Sequence, residues 1–480
     1  MSTKFHFLPA VEEERSLNEQ RPRNILHVLI GALLLAISYN SWLQFYPHKR
    51  NASDSDVGLE LLRLQEFQQC SIANLQDTGH YFLQTAAPIT VEDFEDRRDR
   101  LAQALIAEGV DGFVVEPGYT FKYYGNVSQP EWEVWEPEER PFLMVIQPHQ
   151  HSSGKIVSKT SFLCPSFEEE RARLLNMPFS EPLDVIPWEE HWNPYTTLKK
   201  STVFDHLGNT PRLMVDEEMR DFIQRGLGNA GFDVIGLSGE VERVRQIKTK
   251  QEIGILRAVN TGTVEAVRQM RKCLLPGLTE RDIATVLDNT LRSATLEPFF
   301  DIVLFDENAA NPHGGTNGSK VLERDTFVLI DVGAHLMGYS SDICRTFFPP
   351  FLPRPQKGEP IPPEVWDVVF DAQTQSVHQF HVNTTAASVD IAARNVITNA
   401  GYGDTFTHRV GHGIGIKAHE SPYLNKGNHR TILQNGMTFT SEPGVYIVGR
   451  FGVRHEDIFL VTDGEPELLT GRRAGGPWDP

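Results

Sequence analysis

Residues 327–342 have the sequence FVLIDVGAHLMGYSSD, in which an apolar run ends at Asp331 and a second aspartate, Asp342, follows eleven positions later. A continuous apolar run is typical of a buried strand. Two glycines between the aspartates offer turn positions, so we predict that residues 339–348 form a second strand and bring Asp342 beside Asp331. Two buried carboxylates at contact distance repel each other unless they share a proton or a cation. Taken alone, the pair also fits two solvated acids at a strand edge.

Three further polar segments follow, with glycine, proline or strand-like flanks: GHG at 411–413, SEPG at 441–444 and RHED at 454–457. Together with the aspartate pair they supply four carboxylates and one imidazole, an oxygen-rich set that can hold two divalent ions about 3.5–4 Å apart. The sequence therefore predicts metal-assisted hydrolysis. Spacing alone does not choose His412 over His408 or His419 as the nitrogen ligand, since a lone histidine is more often a packed residue than a ligand.

The order Asp, Asp, His, Glu, Glu resembles that of the pita-bread metallopeptidases, a family that includes methionine aminopeptidases, Xaa-Pro peptidases and creatinase. The resemblance is strongest to the Xaa-Pro peptidase branch, and it covers the chain from about residue 90 to the end. Flanking words match as well: NPHG at 311–314, His408 four residues before His412, HESPYL at 419–424 and GM at 436–437. Chance would have to supply all of these elements in the same order, so the motif set is specific.

The resemblance implies a role for each candidate residue. It implies that the metal ligands are Asp331, Asp342, His412, Glu442 and Glu456. It implies that the catalytic residues are His313, His408, His419, Glu442 and Arg454. In the family, Glu456 bridges the ions, Glu442 also handles the proton of the attacking water, and the histidines contact substrate or stabilise the transition state. Arg454 lies two positions before Glu456, so strand alternation places both on one face, where the cation can orient the carboxylate.

The implied activity is hydrolysis of Xaa-Pro peptide bonds by a metal-bridged hydroxide. Two divalent ions are expected, with Mn²⁺ the first choice and Co²⁺ or Zn²⁺ as substitutes, because a carboxylate-rich set favours harder ions. Strict dipeptidases of the family carry a basic residue soon after the His-Glu-x-Pro word, whereas Tyr423 follows here, with Lys426 or Arg430 as candidate replacements. Dipeptidase and aminopeptidase activity therefore both stay open. Cys344 stands where the family usually has threonine, and it is either a filler or a thiol that senses metal or redox state.

Two other classes of function are alternatives. A pita-bread domain that has lost its ligands can serve as a catalytically inactive peptide-binding module, and a creatinase-like enzyme hydrolyses a small C–N compound without metal. All five candidate ligands are present in this chain, which counts against both. A formal net charge of −19 argues against a nucleic-acid-binding surface, where basic patches are expected. The expected partners are a proline-containing peptide and, from the resemblance, a second copy of the chain in a homodimer.

The predicted fold class is α/β (α+β). A creatinase-like N-terminal domain is expected over residues 90–243 and a pita-bread catalytic domain over residues 244–475. A helical pattern followed by the strand signal at 110–115 supports the first domain. A long amphipathic helix from Glu252 to Cys273 is expected to open the second domain.

The N-terminal region is predicted to contain a tail at 1–23, one transmembrane signal anchor at 24–46 and a stem or linker at 47–89. Residues 25–37 are apolar except for His27, and aromatic residues extend the run to about the length that crosses a bilayer. A cleaved signal peptide and a buried helix of a soluble chain are the alternatives. Basic residues flank both sides, but N-x-Ser/Thr sequons favour a single-pass membrane protein with a lumenal or extracellular catalytic domain. The four cysteines show no paired spacing and predict no disulfide framework.

Overall fold

The computed structural model describes residues 54–353 and 363–480. Residues 63–480 form one compact unit. The predicted tail, the predicted anchor at 24–46 and the start of the predicted linker lie outside the described residues. Within the described ranges, no helix has both the length and the apolar content needed to cross a membrane. On this finding we correct the predicted localisation, a single-pass membrane protein with a lumenal or extracellular catalytic domain; the transmembrane helix in the predicted fold class is not supported either.

The first half of the described chain is built on a six-stranded mixed sheet with the strand order β4-β3-β2-β1-β5-β6. Its strands are β1 (Gly112–Val115), β2 (Leu143–Gln150), β3 (Ile156–Pro165), β4 (Asp184–Trp188), β5 (Arg212–Val215) and β6 (Asp233–Gly236). The central strand β1 is parallel to β5 and antiparallel to β2. Phe113 and Val115 belong to one apolar cluster and Val114 to another, as expected when successive side chains of a strand bury opposite faces.

Helices of this half cover the sheet and tie it to the rest of the chain. They are α1 (Asp54–Gln76), α2 (Val91–Glu108), α3 (Tyr119–Gly125), α4 (Gln129–Trp132), α5 (Glu169–Leu174), α6 (Pro194–Lys199), α7 (Asp221–Asn229) and α8 (Gly239–Gln246). Helix α2 begins after Thr90, whose side chain accepts a hydrogen bond from a backbone N–H, and ends at Gly109, which adopts a left-handed conformation. Buried Arg97 of α2 donates to the Tyr339 hydroxyl at 2.8 Å, so the two halves share a polar contact.

The second half combines helices with three antiparallel sheets, and it confirms the predicted α/β class. The strand orders are β10-β8-β7 with β9 paired to β8, then β12-β11-β13-β16-β17, and β14-β15. The strands are β7 (Glu297–Phe305), β8 (Val328–Leu336), β9 (Tyr339–Ser340), β10 (Ile343–Phe347), β11 (Gly411–Gly413), β12 (Glu420–Leu424), β13 (Thr438–Ser441), β14 (Gly444–Ile447), β15 (Phe451–Arg454), β16 (Asp457–Leu460) and β17 (Glu467–Leu468). The helices are α9 (Lys250–Arg271), α10 (Glu280–Ser293), α11 (Pro363–Val377) and α12 (Ala386–Asn399).

Helix α9 corresponds to the predicted amphipathic helix, shifted by two residues at each end. It begins at a capping box in which the Thr249 side chain accepts from the Glu252 N–H and the Glu252 carboxylate accepts from the Thr249 N–H. The other carboxylate oxygen of Glu252 accepts a hydrogen bond from the Tyr339 hydroxyl at 3.0 Å. This contact fixes the start of α9 against the turn that follows β8.

The strands around the two aspartates form a hairpin, as the sequence predicts. Residue 337 and Gly338 both have positive φ and make the turn between β8 and β9. Asp331 lies directly opposite Cys344 of β10, whereas Asp342 lies between β9 and β10. The two aspartates therefore come together diagonally and not as a directly opposed pair.

A disulfide joins Cys70 of α1 to Cys273, just after α9, across a sequence separation of 203 residues. The spacing of the cysteines did not indicate this disulfide. A pairing over so long a separation leaves no spacing signal in the sequence. Cys164 and Cys344 are free and buried.

Candidate metal centre and active site

The five predicted metal ligands converge in one place. Asp331 lies in β8, Asp342 between β9 and β10, His412 in β11, Glu442 after β13 and Glu456 between β15 and β16. The potential ligand groups are Asp331–Asp342–Glu456, His412–Glu442–Glu456 and Asp342–His412–His419. In each group the ligand atoms lie within 4.8 Å of one another. The structure thus brings together the complete set that the sequence predicts.

His412 owes its position to the two glycines beside it. A Cβ atom at Gly411 would lie 2.2 Å from the Thr440 carbonyl oxygen, and one at Gly413 would lie 2.7 Å from the Glu420 carbonyl oxygen. Only glycine allows the neighbouring strands this close approach. The Nδ1 atom of His412 lies 3.0 Å from the Gly413 carbonyl, which can only accept, so Nδ1 carries the proton. In the neutral ring Nε2 then has no proton, and this is the form in which an imidazole binds a metal.

Nε2 of His412 lies among the carboxylates. It is 3.3 Å from Oε1 of Glu442 and 3.6 Å from Oδ2 of Asp342. Burial would raise the pKa of Glu442, but when the His412 ring is protonated its Nε2–H group and positive charge outweigh burial and hold this pKa at about 2. Glu442 therefore favours the ionised form.

The other carboxylates have the electrostatics of a site built for cations. Burial, followed by repulsion from neighbouring carboxylates, raises the pKa of Asp342 and of Glu456 well above the usual range. In the described parts of the chain, Oδ1 of Asp331 and both carboxylate oxygens of Glu456 are buried without a hydrogen-bond partner. Buried polar atoms are normally paired. A divalent cation would satisfy these oxygens and relieve the repulsion, so the donor set fits a metal.

Arg454 binds a different carboxylate from the one expected. The strand pattern predicted that it orients Glu456, but its Nη2 atom forms a short ion pair with Oδ2 of Asp331. Nη2 also donates to the Pro312 carbonyl at 3.1 Å, and Nη1 donates to the Tyr446 hydroxyl at 2.8 Å. Glu456 lies beyond the end of β15, so strand alternation does not extend to it. Arg454 thus holds Asp331 with its free oxygen turned to the other ligands.

Tyr446 is a site residue that the sequence reasoning missed. Its hydroxyl lies 2.8 Å from Nε2 of His408, while Nδ1 of His408 donates to the Arg409 carbonyl at 2.7 Å. Burial lowers the pKa of His408, so the ring is neutral and Nε2 accepts from Tyr446. Hydrogen bonds therefore link Arg454, Tyr446 and His408, and in the described chain only Nε of Arg454 in this group is buried without a partner. Strands β14 and β15 pair so that Tyr446 and Arg454 lie on one face. The sequence does not show this register, so it gave no signal for Tyr446.

His419 is the predicted histidine nearest to the ligands. Its ring centroid is 4.1 Å from that of His412, and its Nε2 atom is 3.7 Å from Oδ2 of Asp342. Burial, then the neighbouring His412, lowers its pKa to about 4. The side chain is still 55% exposed, so a neutral imidazole faces the space above the ligands.

A cavity of about 600 Å³ opens over this site, and both halves of the chain line it. From the second half, the ligands Asp331, Asp342 and Glu442 line the cavity, together with His313, His408 and His419. Phe299, Phe300 and Ile302 provide its apolar wall, and Tyr119 and Glu218 enter from the first half. The opening is thus large enough for a small peptide, with charged atoms at its base and apolar side chains along one wall.

Two residues considered in the sequence analysis, Glu420 and Cys344, do not line the cavity. Glu420 is buried between Lys248 and Arg245, with which it forms ion pairs. The Cys344 thiol is also fully buried and belongs to an apolar cluster with Leu304 and Leu329. Burial raises the pKa of the Cys344 thiol well above its usual range, so the thiol stays protonated. This environment favours the interpretation of Cys344 as a filler.

Comparisons with known proteins place the chain in a family. The model of metallopeptidase family M24 matches residues 254–463. An uncharacterised peptidase of Schizosaccharomyces pombe is 39% identical over 424 residues, which cover 87% of this chain and 90% of the relative. The dipeptidase PepE of Mycobacterium ulcerans has a similar structure, with a TM-score of 0.68, 27% identity and coverage of 80% of this chain and 98% of that one. A prolidase of Thermococcus sibiricus gives a TM-score of 0.66, 27% identity and coverage of 79% and 97%.

The fold and the site define a metal-dependent hydrolase, and the chain belongs to metallopeptidase family M24. The prediction of a pita-bread metallopeptidase that acts on peptides is therefore confirmed. Enzymes of this family use divalent metal ions, in keeping with the ligand groups described above.

Proposed function

We propose that this protein hydrolyses Xaa-Pro peptide bonds with two divalent cations, Mn²⁺ the first choice. Asp331, Asp342, His412, Glu442 and Glu456 would hold the cations. The convergence of these five side chains carries the proposal, because two of them keep buried oxygen atoms without any hydrogen-bond partner among the described residues. The names of similar structures, a prolidase and a dipeptidase, support the substrate class.

When bound, the cations lower the pKa of water towards neutrality, so that hydroxide is available for attack on the scissile carbonyl. Glu442 is ionised, with a pKa of about 2, and can accept the proton of the attacking water and pass it to the leaving nitrogen. A peptide bond to proline has no N–H, so enzymes that grip the amide hydrogen cannot orient it. A site that fixes the carbonyl and the nitrogen separately does not need that hydrogen.

The histidines divide into two roles. His419 is neutral and faces the cavity, so its ring N–H can donate to the oxyanion that develops on the carbonyl. His313 lines the same cavity and is a second candidate donor. His408 has both nitrogens engaged, so we assign it to positioning Tyr446 and Arg454 and not to direct contact with substrate.

The preference between dipeptides and longer peptides turns on what binds the substrate's terminal carboxylate. Lys426 and Arg430, the candidates from the sequence, are exposed on the segment after β12. The Arg409 guanidinium instead lies 4.5 Å from the centre of the Tyr423 ring, which occupies the position after the His-Glu-x-Pro word. Arg409 has no ion pair within the described ranges, and its charge acts on both His419 and Asp342. We therefore favour the dipeptidase, with Arg409 binding the carboxylate.

The test uses the full chain, stripped of metal and resupplied with Mn²⁺, against Xaa-Pro dipeptides and longer Xaa-Pro peptides. Metal content and thermal stability are measured alongside turnover for the wild type, Asp331→Asn, Glu456→Gln and a control, Glu170→Gln. Glu170 is exposed and outside the cavity. We expect the wild type and the control to bind two ions and to cleave the peptides when Mn²⁺ is present. Only the two ligand variants should lose metal binding and cleavage.

Other outcomes would favour other functions. A folded protein that binds no metal would favour the inactive peptide-binding module or a creatinase-like C–N hydrolase. Metal binding without Xaa-Pro cleavage would direct the search to peptides without proline. For the dipeptidase, Arg409→Gln should raise KM for dipeptides about tenfold and leave longer peptides little changed, since a charged hydrogen bond contributes about 1.5–3 kcal/mol.

A further inference from the structure

A second cavity of about 590 Å³ lies beside the active-site cavity, between the first half of the chain and the turn of the β8–β9 hairpin. The two cavities share Tyr119 and Glu218 as lining residues, so they adjoin each other. We call this second cavity the acidic side pocket. Its charged lining residues are Glu116, Lys122, Asp216, Glu218, Arg220 and Glu297.

Both cations of the acidic side pocket are already neutralised. Arg220 lies 2.6 Å from Glu116 and 3.2 Å from Glu133, and Lys122 lies 3.6 Å from Glu131. Glu218 has its own ion pair with a lysine of the active-site cavity. Asp216 and Glu297 form no ion pair with any residue that the structure describes. The charge of Arg245 acts on Asp216, but Arg245 does not line the pocket. Two carboxylates of the acidic side pocket therefore have no ion-pair partner among its described lining residues.

Asp216 is the stronger indication of a ligand, because it is buried and only partly satisfied. Its side chain is 6% exposed. Oδ2 accepts the Glu218 N–H at 3.2 Å, but Oδ1 has no hydrogen-bond partner in the described chain. Burial, then the charge of Glu217, raises the pKa of Asp216 to about 6. A cation entering the pocket would favour the ionised carboxylate and supply the missing partner.

The remaining lining of the pocket is uncharged and includes two aromatic rings, those of Tyr119 and His335. The ring of Tyr119 is 6.2 Å from that of His335, and His335 stacks on Phe299 at 4.2 Å. Burial, then the charge of Lys122, lowers the pKa of His335 to about 4, so this ring does not repel a cation near neutral pH. Aromatic faces beside carboxylates suit an ammonium or guanidinium group on an alkyl stem.

We propose that the acidic side pocket binds the lysine or arginine side chain of the residue that precedes proline in the substrate. Asp216 and Glu297 are the ion partners, and Tyr119 is the aromatic contact. The proposal rests on the proposed function, because the backbone of the same peptide occupies the active-site cavity. It predicts an enzyme that selects basic residues before proline.

The test compares kcat/KM for Arg-Pro and Lys-Pro with that for norleucine-Pro, which has a similar stem without the charge. We expect the wild type to prefer the basic substrates about tenfold, a ratio in the range of one partly buried ion pair. Asp216→Asn and Glu297→Gln should reduce this ratio at least threefold, whereas Glu170→Gln should leave it unchanged. Glu297→Lys should reverse the preference towards Glu-Pro, a result that a merely destabilised protein would not give.

Equal kcat/KM for charged and neutral substrates in the wild type, or a ratio that no pocket variant alters, would overturn the proposal. If no Xaa-Pro peptide is hydrolysed, the proposed function is wrong, but the pocket can still be tested. Calorimetry then measures whether the metal-loaded chain binds the same peptides in the pocket. Tighter binding of Arg-Pro than of norleucine-Pro, lost in Glu297→Gln, would support the pocket without turnover. Equal affinities would reject it.

Discussion

The Nζ atom of Lys417 lies 2.7 Å from Oε1 of Glu218, which joins the segment before His419 to the segment after β5. A second contact, at 3.1 Å, links Lys417 to Glu217. Lys417 is on the wall of the active-site cavity and only two residues from His419. The ion pairs therefore connect the first half of the chain to the placement of a candidate oxyanion donor.

We predict that Lys417→Met lowers kcat more than it raises KM, because the change displaces His419 without removing a substrate contact. Partly exposed ion pairs contribute about 0.2–1 kcal/mol each, so a loss of about two- to fivefold in kcat is expected. Lys417→Arg should retain most of the activity. Added salt should lower the kcat of the wild type towards that of the variant, since salt screens such ion pairs. A Lys417→Met enzyme with unchanged kcat and unchanged salt response would contradict the role.

The second prediction concerns Tyr446, whose hydroxyl lies between His408 and Arg454. Tyr446→Phe leaves Nε2 of His408 and Nη1 of Arg454 without this partner in a buried environment. A buried polar group without a partner costs about 1–3 kcal/mol, so thermal stability and kcat should both fall. A variant that binds metal normally but no longer turns over substrate would show that the hydrogen bonds linking Arg454, Tyr446 and His408 position catalytic side chains and do not hold the ions. Tyr81→Phe, at an exposed tyrosine, is the matched control.

Local patterns predicted the elements of the site better than its contacts. The apolar run before Asp331 and the amphipathic pattern that begins near Glu252 are encoded in neighbouring residues, and the strand and the helix both formed as predicted. Of the two glycines offered as turn positions, Gly338 lies in the turn, whereas Gly333 lies inside strand β8. His412 could be chosen only through the resemblance, since its ligand role depends on where β13 runs.

Contacts between distant segments left no trace that sequence reasoning could use. Arg454 and Asp331 are separated by 123 positions, and Lys417 and Glu218 by 199. Strand alternation gives the face of a side chain but not which strand will lie opposite, so Arg454 was matched with the wrong carboxylate. No sequence motif includes Asp216, and only its burial beside a cavity in the structure identifies it as a candidate ligand-binding residue.

The third prediction is a loss of stability in acid that depends on His335. Burial, then Lys122, lowers its pKa from 6.5 to about 4, so the fold favours the neutral ring. For a histidine with a depressed folded pKa, the stabilisation is present above the unfolded pKa near 6.5 and is lost as the pH falls through about 4. One pKa unit corresponds to about 1.4 kcal/mol, so the loss over this window is at most about 3.5 kcal/mol.

His335→Phe keeps a ring to stack on Phe299 but cannot gain a proton. The free energy of unfolding, measured by denaturant titration between pH 4 and pH 7, should therefore fall less steeply in this variant than in the wild type. His151→Gln, at an exposed histidine, should follow the wild-type curve. Parallel curves for His335→Phe and wild type would show that other groups cause the acid sensitivity.

The last prediction is that the Cys70–Cys273 disulfide stabilises the protein against denaturant. The bridge closes a loop across 203 positions, and Cys70 is exposed, so a reductant can reach it. Loss of a native disulfide typically costs about 2–5 kcal/mol, mainly because the unfolded chain gains freedom. We expect dithiothreitol to lower the denaturation midpoint of the wild type to that of Cys70→Ser. The variant itself should not respond to the reductant, because Cys164 and Cys344 form no bridge. Activity at low denaturant should survive in both, since the bridge lies outside the metal site. A wild type whose midpoint is the same with and without reductant would show that the bridge does not contribute to stability.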